Sequence, residues 1–169
     1  MLNRYVEGRF KHGSKMTIGV DILQKLFTLN DGLKVSLQLW DFGGQQHFRF
    51  FMDSFIRGAN GGFLMFDLTN MKSFVNLEEW LKLFRKENPA LPIVLLGAKL
   101  DLEELIVVSD EMANETKEKF NIGDYLKISS KTGYNVEEAF HVLVHEIRKY
   151  NNDLSRSNEL VSNNINPIS

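Results

Sequence analysis

Two continuous apolar runs constrain the fold most. "GGFLMFDL" (61–68) and "PIVLLGAK" (92–99) carry almost no polar residue before their ends. A strand with no polar face is covered on both sides. Helix-length segments with a single apolar stripe follow each run. "SFVNLEEWLKLFRKE" (73–87) places Phe74, Leu77, Leu81 and Phe84 on one face, with Trp80 beside them, as an amphipathic helix requires. It stops before Pro89 and Pro92, because the residue preceding a proline is biased away from helix. "SDEMANETKEKF" (109–120) opens with Ser109 as a cap and acids in its first turn, the expected start of a second helix. "YLKISS" (125–130) reads as a short strand. "NVEEAFHVLVHEIRKY" (135–150) reads as a last helix, with Asn135 as cap, Glu138 three residues on, and Val136, Phe140, Leu143 and Ile147 facing inward. Strand and helix in alternation predict an α/β fold of three layers, doubly wound, around a mostly parallel sheet.

Before this alternation comes a hairpin. In "ILQKLFTLNDGLKVSLQLWDF" two strand-like runs flank Asn30-Asp31-Gly32, residues that tolerate the positive φ of a tight turn. Leu33, Val35, Leu37 and Leu39 alternate with Lys34, Ser36, Gln38 and Trp40. The hairpin predicts one antiparallel strand in the sheet. Leu2, Tyr5, Val6 and Phe10 recur at near-helical spacing, and 11–19 reads as a loop. The stretch 151–169 is polar, rich in Asn and Ser, and aperiodic, so it is expected to be a disordered tail behind a single domain over 1–150.

Composition narrows the function. The 169 residues carry a net charge of −2, so nucleic acid and acidic membranes are not expected as partners. With no cysteine, disulfides, thiol catalysis and thiolate metal sites are excluded, prenylation or palmitoylation of this chain and a direct lipid anchor are not expected, and a cytoplasmic location is expected. No apolar run approaches the ~20 residues of a membrane span.

In a doubly wound sheet ligands bind beyond the carboxyl ends of the strands. Those ends are polar here: Trp40-Asp41-Phe42-Gly43-Gly44-Gln45, Asp67, Gly97-Ala98-Lys99-Leu100-Asp101, and Ser129-Ser130-Lys131. Singly each is an ordinary turn. Their order and spacing together are more specific. His141 and His145 lie four apart on one helix, but no third ligand is evident and a solvated helix face explains them.

"TIGVD", "LWDFGGQQHFR", "FIRGANGGFLMFDLTNMKSF", "LLGAKLDL" and "ISSKTGYNVEEAF" follow one another as the blocks of Ras-superfamily small GTPases do. The chain resembles a divergent Rab-like member over residues 1–150, and its "DFGGQ" is similar to Arf-like and Roc-type GTPases. The resemblance implies a P-loop NTPase-like G domain, binding of GTP or GDP with Mg²⁺, and a molecular switch. It implies that Asp41 and Thr17 hold Mg²⁺. Gly44 meets the γ-phosphate and Gln45 orients the attacking water. Phe10, Lys99, Asp101, Ser129, Ser130 and Lys131 surround the guanine base. Segments 12–20 and 42–52 would be the switch-like surfaces that meet effectors and regulators.

Departures accompany the likeness. Ala98 stands where the family has an asparagine before Lys-x-Asp, and losing such a hydrogen-bonding group costs about 1–3 kcal/mol. In the family a strand and G-x-x-x-x-G-K-[ST] precede the helix that here starts near Met1, and no such motif occurs in the sequence. The expectation is a G domain missing its first strand, whose natural chain begins upstream, with weak GTP binding and doubtful hydrolysis. The alternative is a non-catalytic pseudo-GTPase interaction module. A missing central strand with about four buried side chains removes on the order of 6–12 kcal/mol, comparable to a whole domain's stability. The isolated chain is therefore expected to melt below about 50 °C. A cooperative calorimetric transition above that temperature contradicts this.

Overall fold

The computed structural model describes residues 1–10, 20–29, 31–42 and 54–163, with side chains through 156. The elements in order are α1 (Leu2–Glu7), β1 (Val20–Thr28), β2 (Lys34–Phe42), β3 (Gly62–Asp67), α2 (Met71–Val75), α3 (Leu77–Glu87), β4 (Ile93–Ala98), a 3-10 turn (Glu103–Leu105), α4 (Asp110–Lys119), β5 (Asp124–Lys127) and α5 (Val136–Asn163). A helical turn also covers 54–57. This is the mostly parallel α/β architecture that the strand–helix alternation predicts.

β4 explains the layering. Ile93 and Leu95 enter one core with Leu64, Phe66, Leu68, Leu77, Leu81, Val108 and Ala113. Val94 and Leu96 enter another with Ile128, Ala139 and Leu143. The alternation of side chains along a strand sends neighbours to opposite faces, so a strand apolar throughout needs helices on both. α2, α3 and α4 supply one cover, and α5 supplies the other. β3 and β5 flank β4 in parallel, with Leu64 opposite Leu95 and Leu126 opposite Leu96.

β1 and β2 form a separate antiparallel pair, from Val20 opposite Phe42 to Thr28 opposite Lys34. The turn works as its residues suggest. Gly32 takes φ +83, and Asp31 Oδ1 accepts from Leu33 N at 3.1 Å. Asn30 lies outside the described residues. Arg148 Nη1 donates to Asp31 Oδ2 at 3.0 Å and ties the turn to α5. The inner face of the hairpin joins α1 and α5 in a core of Tyr5, Phe27, Leu29, Val136, Phe140 and Val144. Among the described residues β2 pairs only with β1, and β3 only with β4.

Three local expectations change. The segment 73–87 is two helices, not one. Asn70 is the first cap, accepting from Lys72 N and Ser73 N. Ser73 is drawn back to β3, where its Oγ accepts from Asp67 N at 2.9 Å. The long helix then restarts at Leu77 and lays Leu77 and Leu81 in the core. At α5, Asn135 has φ +54, and its side-chain amide donates to Lys127 O at 3.0 Å, so it ties the helix to β5 where the sequence suggested a capping box. α5 also continues to Asn163, well past the end expected near 150. Ser109 behaves as expected, accepting from Met112 N.

The hairpin–α5 core depends on Phe140, which is 1% exposed. Its ring stacks on Tyr5 at 3.6 Å and meets Phe63 edge-on at 5.0 Å. Phe140→Ala is expected to lower unfolding free energy by about 3–5 kcal/mol in urea titrations. A loss below about 1 kcal/mol contradicts this packing.

Candidate functional site

The parallel register delivers three strand ends to one place. Asp67 closes β3 opposite Ala98, which closes β4. Beyond β4 the chain folds over the end of β5. Ile128 N donates to Gly97 O at 2.8 Å, and Leu100 N to Ile128 O at 3.1 Å. Gly97 leaves room for Leu68 and Tyr125 to pack on β4, since a Cβ there would lie 2.9 Å from Leu68 Cδ2 and 3.1 Å from the Tyr125 hydroxyl. Lys99 then turns through φ +67, uncommon for a side chain that size. Residues in such conformations are held by their surroundings.

An ion pair does part of that holding. Lys99 Nζ lies 2.7 Å from Asp67 Oδ2. Asp67 Oδ1 accepts from Thr69 N at 2.9 Å and Thr69 Oγ1 at 2.7 Å. Burial pushes the Asp67 carboxyl up, but the hydrogen bonds from Lys99 and Thr69 and the lysine charge hold it below its ordinary value of 3.8. Ala98 contributes its carbonyl, which accepts from Leu68 N at 3.0 Å. The β3–β4 junction is therefore closed without the side-chain amide whose loss the sequence suggested.

Asp101 and the segment 129–131 also meet. Ser129, 1% exposed, donates from Oγ to Asp101 Oδ1 at 2.5 Å. Ser129 Oγ also accepts from Thr132 N at 3.1 Å, and Gly133 N donates to Ser129 O at 2.8 Å. Lys131 Nζ stands 3.9 Å from Asp101 Oδ2. Ser130 is half-buried next to them. Arg4 fastens α1 to this loop: Nη2 donates to Thr132 O at 2.9 Å and Nη1 to Gly8 O at 3.1 Å. Gly8 ends α1 with φ +70, and Phe10 leaves from there, 38% exposed.

Lys99, Asp101, Ser129, Ser130 and Lys131 thus share one site. Asp41, near the end of β2, is described, and its charge acts on the desolvated Met1 amine. Thr17, Gly44 and Gln45 lie outside the described residues, as do most of 12–20 and 42–52. His141 packs its ring on Phe27 at 4.6 Å. Among the described residues no group of three His, Cys, Asp or Glu is placed to hold a metal, and no helix is long and apolar enough to cross a membrane. A groove of about 740 Å³ between Asp31 and α5 residues such as Glu138, His145 and Arg148 contains none of the predicted site residues. Chemistry favours the strand ends, where charged groups converge.

Arg4 and Thr69 were not legible as site residues. Asp67 ends an apolar run, but its pairing with Lys99 follows from the β3–β4 register. Arg4 carries no sequence signal. The Asp67–Lys99 pair has a pH signature. A depressed carboxyl stabilises the fold above its unfolded pKa, and that stability is lost as pH falls through the lower folded value. Asp67→Asn is therefore expected to be less stable than the parent at pH 7, with the difference fading below pH 3.8. A stability difference unchanged from pH 7 to pH 2 in urea titrations contradicts the ion pair.

The comparisons with known proteins agree with the geometry. A family model described as the Ras family matches residues 1–149. The chain is 36% identical to Ras-related protein Rab-27A of Rattus norvegicus over 162 residues, covering 88% of this chain and 72% of that protein. It is 37% identical to Ras-related protein Rab-27B of Homo sapiens over 161 residues, with the same 88% and 72% coverage. Against Ras-related protein Rab-39A of Mus musculus it is 36% identical over 153 residues, covering 87% and 70%. The family match and these relatives establish that the chain belongs to the Ras family of small GTPases, on its Rab-like side.

Proposed function

We propose that the chain is a guanine-nucleotide-binding switch whose base-reading side is the crevice at the ends of β3, β4 and β5. The observation that carries this reading is Asp101, held by buried Ser129 at 2.5 Å with Lys131 at 3.9 Å. Guanine presents two adjacent donors, N1–H and the 2-amino group, whereas adenine presents an acceptor at N1. A carboxylate accepts from the first and opposes the second. An ionised carboxyl has about four acceptor positions, so the Ser129 bond leaves room for both guanine donors. The Lys99 stem packs along the base, Ser130 and Lys131 close its edge, and Phe10 covers it from the α1 side. Arg4 keeps α1 against this loop.

For the phosphates, the assignment is that Asp41 and Thr17 hold Mg²⁺, Gly44 offers its backbone N–H, and Gln45 orients water. Magnesium would supply charge neutralisation at the phosphates. Segments 12–20 and 42–52 are the surfaces for effectors and regulators. Ala98, in place of the asparagine the family carries before Lys-x-Asp, favours a second reading, a pseudo-GTPase whose switch-like surface binds partners without catalysis.

Millimolar GMP and AMP discriminate these readings by chemical-shift titration. GMP is expected to move amide signals of Lys99, Asp101 and 129–131, AMP is not, and Asp101→Asn is expected to weaken GMP at least about tenfold. Equal responses to both nucleotides, or an unchanged GMP response in the variant, overturn the base-reading assignment.

A further inference from the structure

The crevice at the strand ends has two flanks that lie far apart in sequence. Phe10 leaves the end of α1, and Ser130 and Lys131 belong to the loop after β5. The sheet register does not relate these flanks, because neither is a strand. One side chain spans both. Arg4 Nη1 donates to Gly8 O at 3.1 Å, and Arg4 Nη2 donates to Thr132 O at 2.9 Å. Gly8 ends α1 with φ +70, two residues before Phe10, and Thr132 follows Lys131 directly.

The fit is close. Gly133 takes φ +90, and a Cβ there would lie 2.9 Å from Arg4 Nη2, 3.1 Å from Nε and 3.4 Å from Cζ. The guanidinium thus lies against bare backbone, in space that glycine leaves open. The loop it holds is the one that fixes Asp101. Thr132 N donates to Ser129 Oγ at 3.1 Å, Gly133 N to Ser129 O at 2.8 Å, and Ser129 Oγ to Asp101 Oδ1 at 2.5 Å. Arg4 is therefore linked to Asp101 through Thr132 and Ser129, and to the Phe10 flank through Gly8.

Two segments bonded to one rigid fork are held at one separation. A guanidinium is planar and presents its donors in a fixed geometry, whereas a lysine ammonium is a point charge on a flexible stem. We propose that Arg4 is a positioning residue for base recognition: it fixes the spacing between the Phe10 flank and the Ser130–Lys131 flank, and so sets the width of the slot that takes guanine. The proposal rests on the guanine reading of this crevice. Both hydrogen-bond acceptors of Arg4 are carbonyls of the protein, so it acts by preorganising the slot.

The test compares the full chain with Arg4→Ala, Arg4→Lys and Arg148→Ala. GMP and AMP are titrated by chemical shift, and amide exchange is followed without nucleotide. Arg148 is the control, because it ties the hairpin turn to α5 and is not one of the crevice residues. Arg4→Ala is expected to weaken GMP at least about fivefold. It is also expected to speed exchange of the Thr132 and Gly133 amides at least about tenfold, with the amides of Val94, Leu95 and Leu96 unchanged. Arg4→Lys keeps the charge without the fork and is expected to weaken GMP to a similar extent, while Arg148→Ala leaves GMP binding unchanged. Unchanged GMP affinity in Arg4→Ala overturns the proposal. So does Arg4→Lys that matches the parent, or Arg148→Ala that weakens GMP as much as Arg4→Ala does. A parent chain that does not separate GMP from AMP defeats the guanine reading by itself. Accelerated exchange at Thr132 and Gly133 in Arg4→Ala then still supports the clamp, and unaltered exchange overturns it.

Discussion

The rest of the molecule depends on covering β4 from both sides. Ile93, Val94, Leu95 and Leu96 are each 2% exposed or less, and no two neighbours among them share a face. Burying four such side chains contributes on the order of 6–12 kcal/mol, which requires a helix layer above and below. Once those layers exist, β3, β4 and β5 must run in parallel, because each connection crosses back over a helix. Parallel strands put all their carboxyl ends on one side. The polar residues that end these strands, Asp67, Lys99, Asp101 and Ser129, have nowhere else to gather. The site is a consequence of how the core is covered.

Within the site, the short contacts divide the work. The Lys99–Asp67 pair closes β3 against β4, and Ser129 closes the 129–133 loop against Asp101. Ser129 is the more buried anchor. A buried hydroxyl with partners on both sides fixes the carboxylate more firmly than an exposed lysine can, since unpaired buried polar groups cost about 1–3 kcal/mol and half-exposed ion pairs contribute little. The orientation of the Asp101 carboxylate thus belongs to the fold itself.

Much of this was legible in the sequence. The apolar runs located β3 and β4, and Asn-Asp-Gly located the hairpin turn, because each signal is local. Lys99, Asp101, Ser129, Ser130 and Lys131 were readable as a set because each follows directly on a strand. Long-range pairings were not readable. Nothing near Arg4 announces Thr132, 128 positions away, and Asp67 finds Lys99 only through the register of two parallel strands. Asn135 misled for a related reason. Its spacing to Glu138 is that of a cap, but the Lys127 carbonyl, brought close by β5, is its side chain's partner. The break at Asn76 has the same origin, since Ser73 answers to the end of β3 and not to its own helix.

The central proposal is that the crevice at the ends of β3, β4 and β5 reads a guanine base. Isothermal titration of the full chain with guanosine and with adenosine tests it most directly. The proposal predicts that guanosine binds at least about tenfold tighter, a difference of about 1.4 kcal/mol. Equal affinities for the two nucleosides would contradict it.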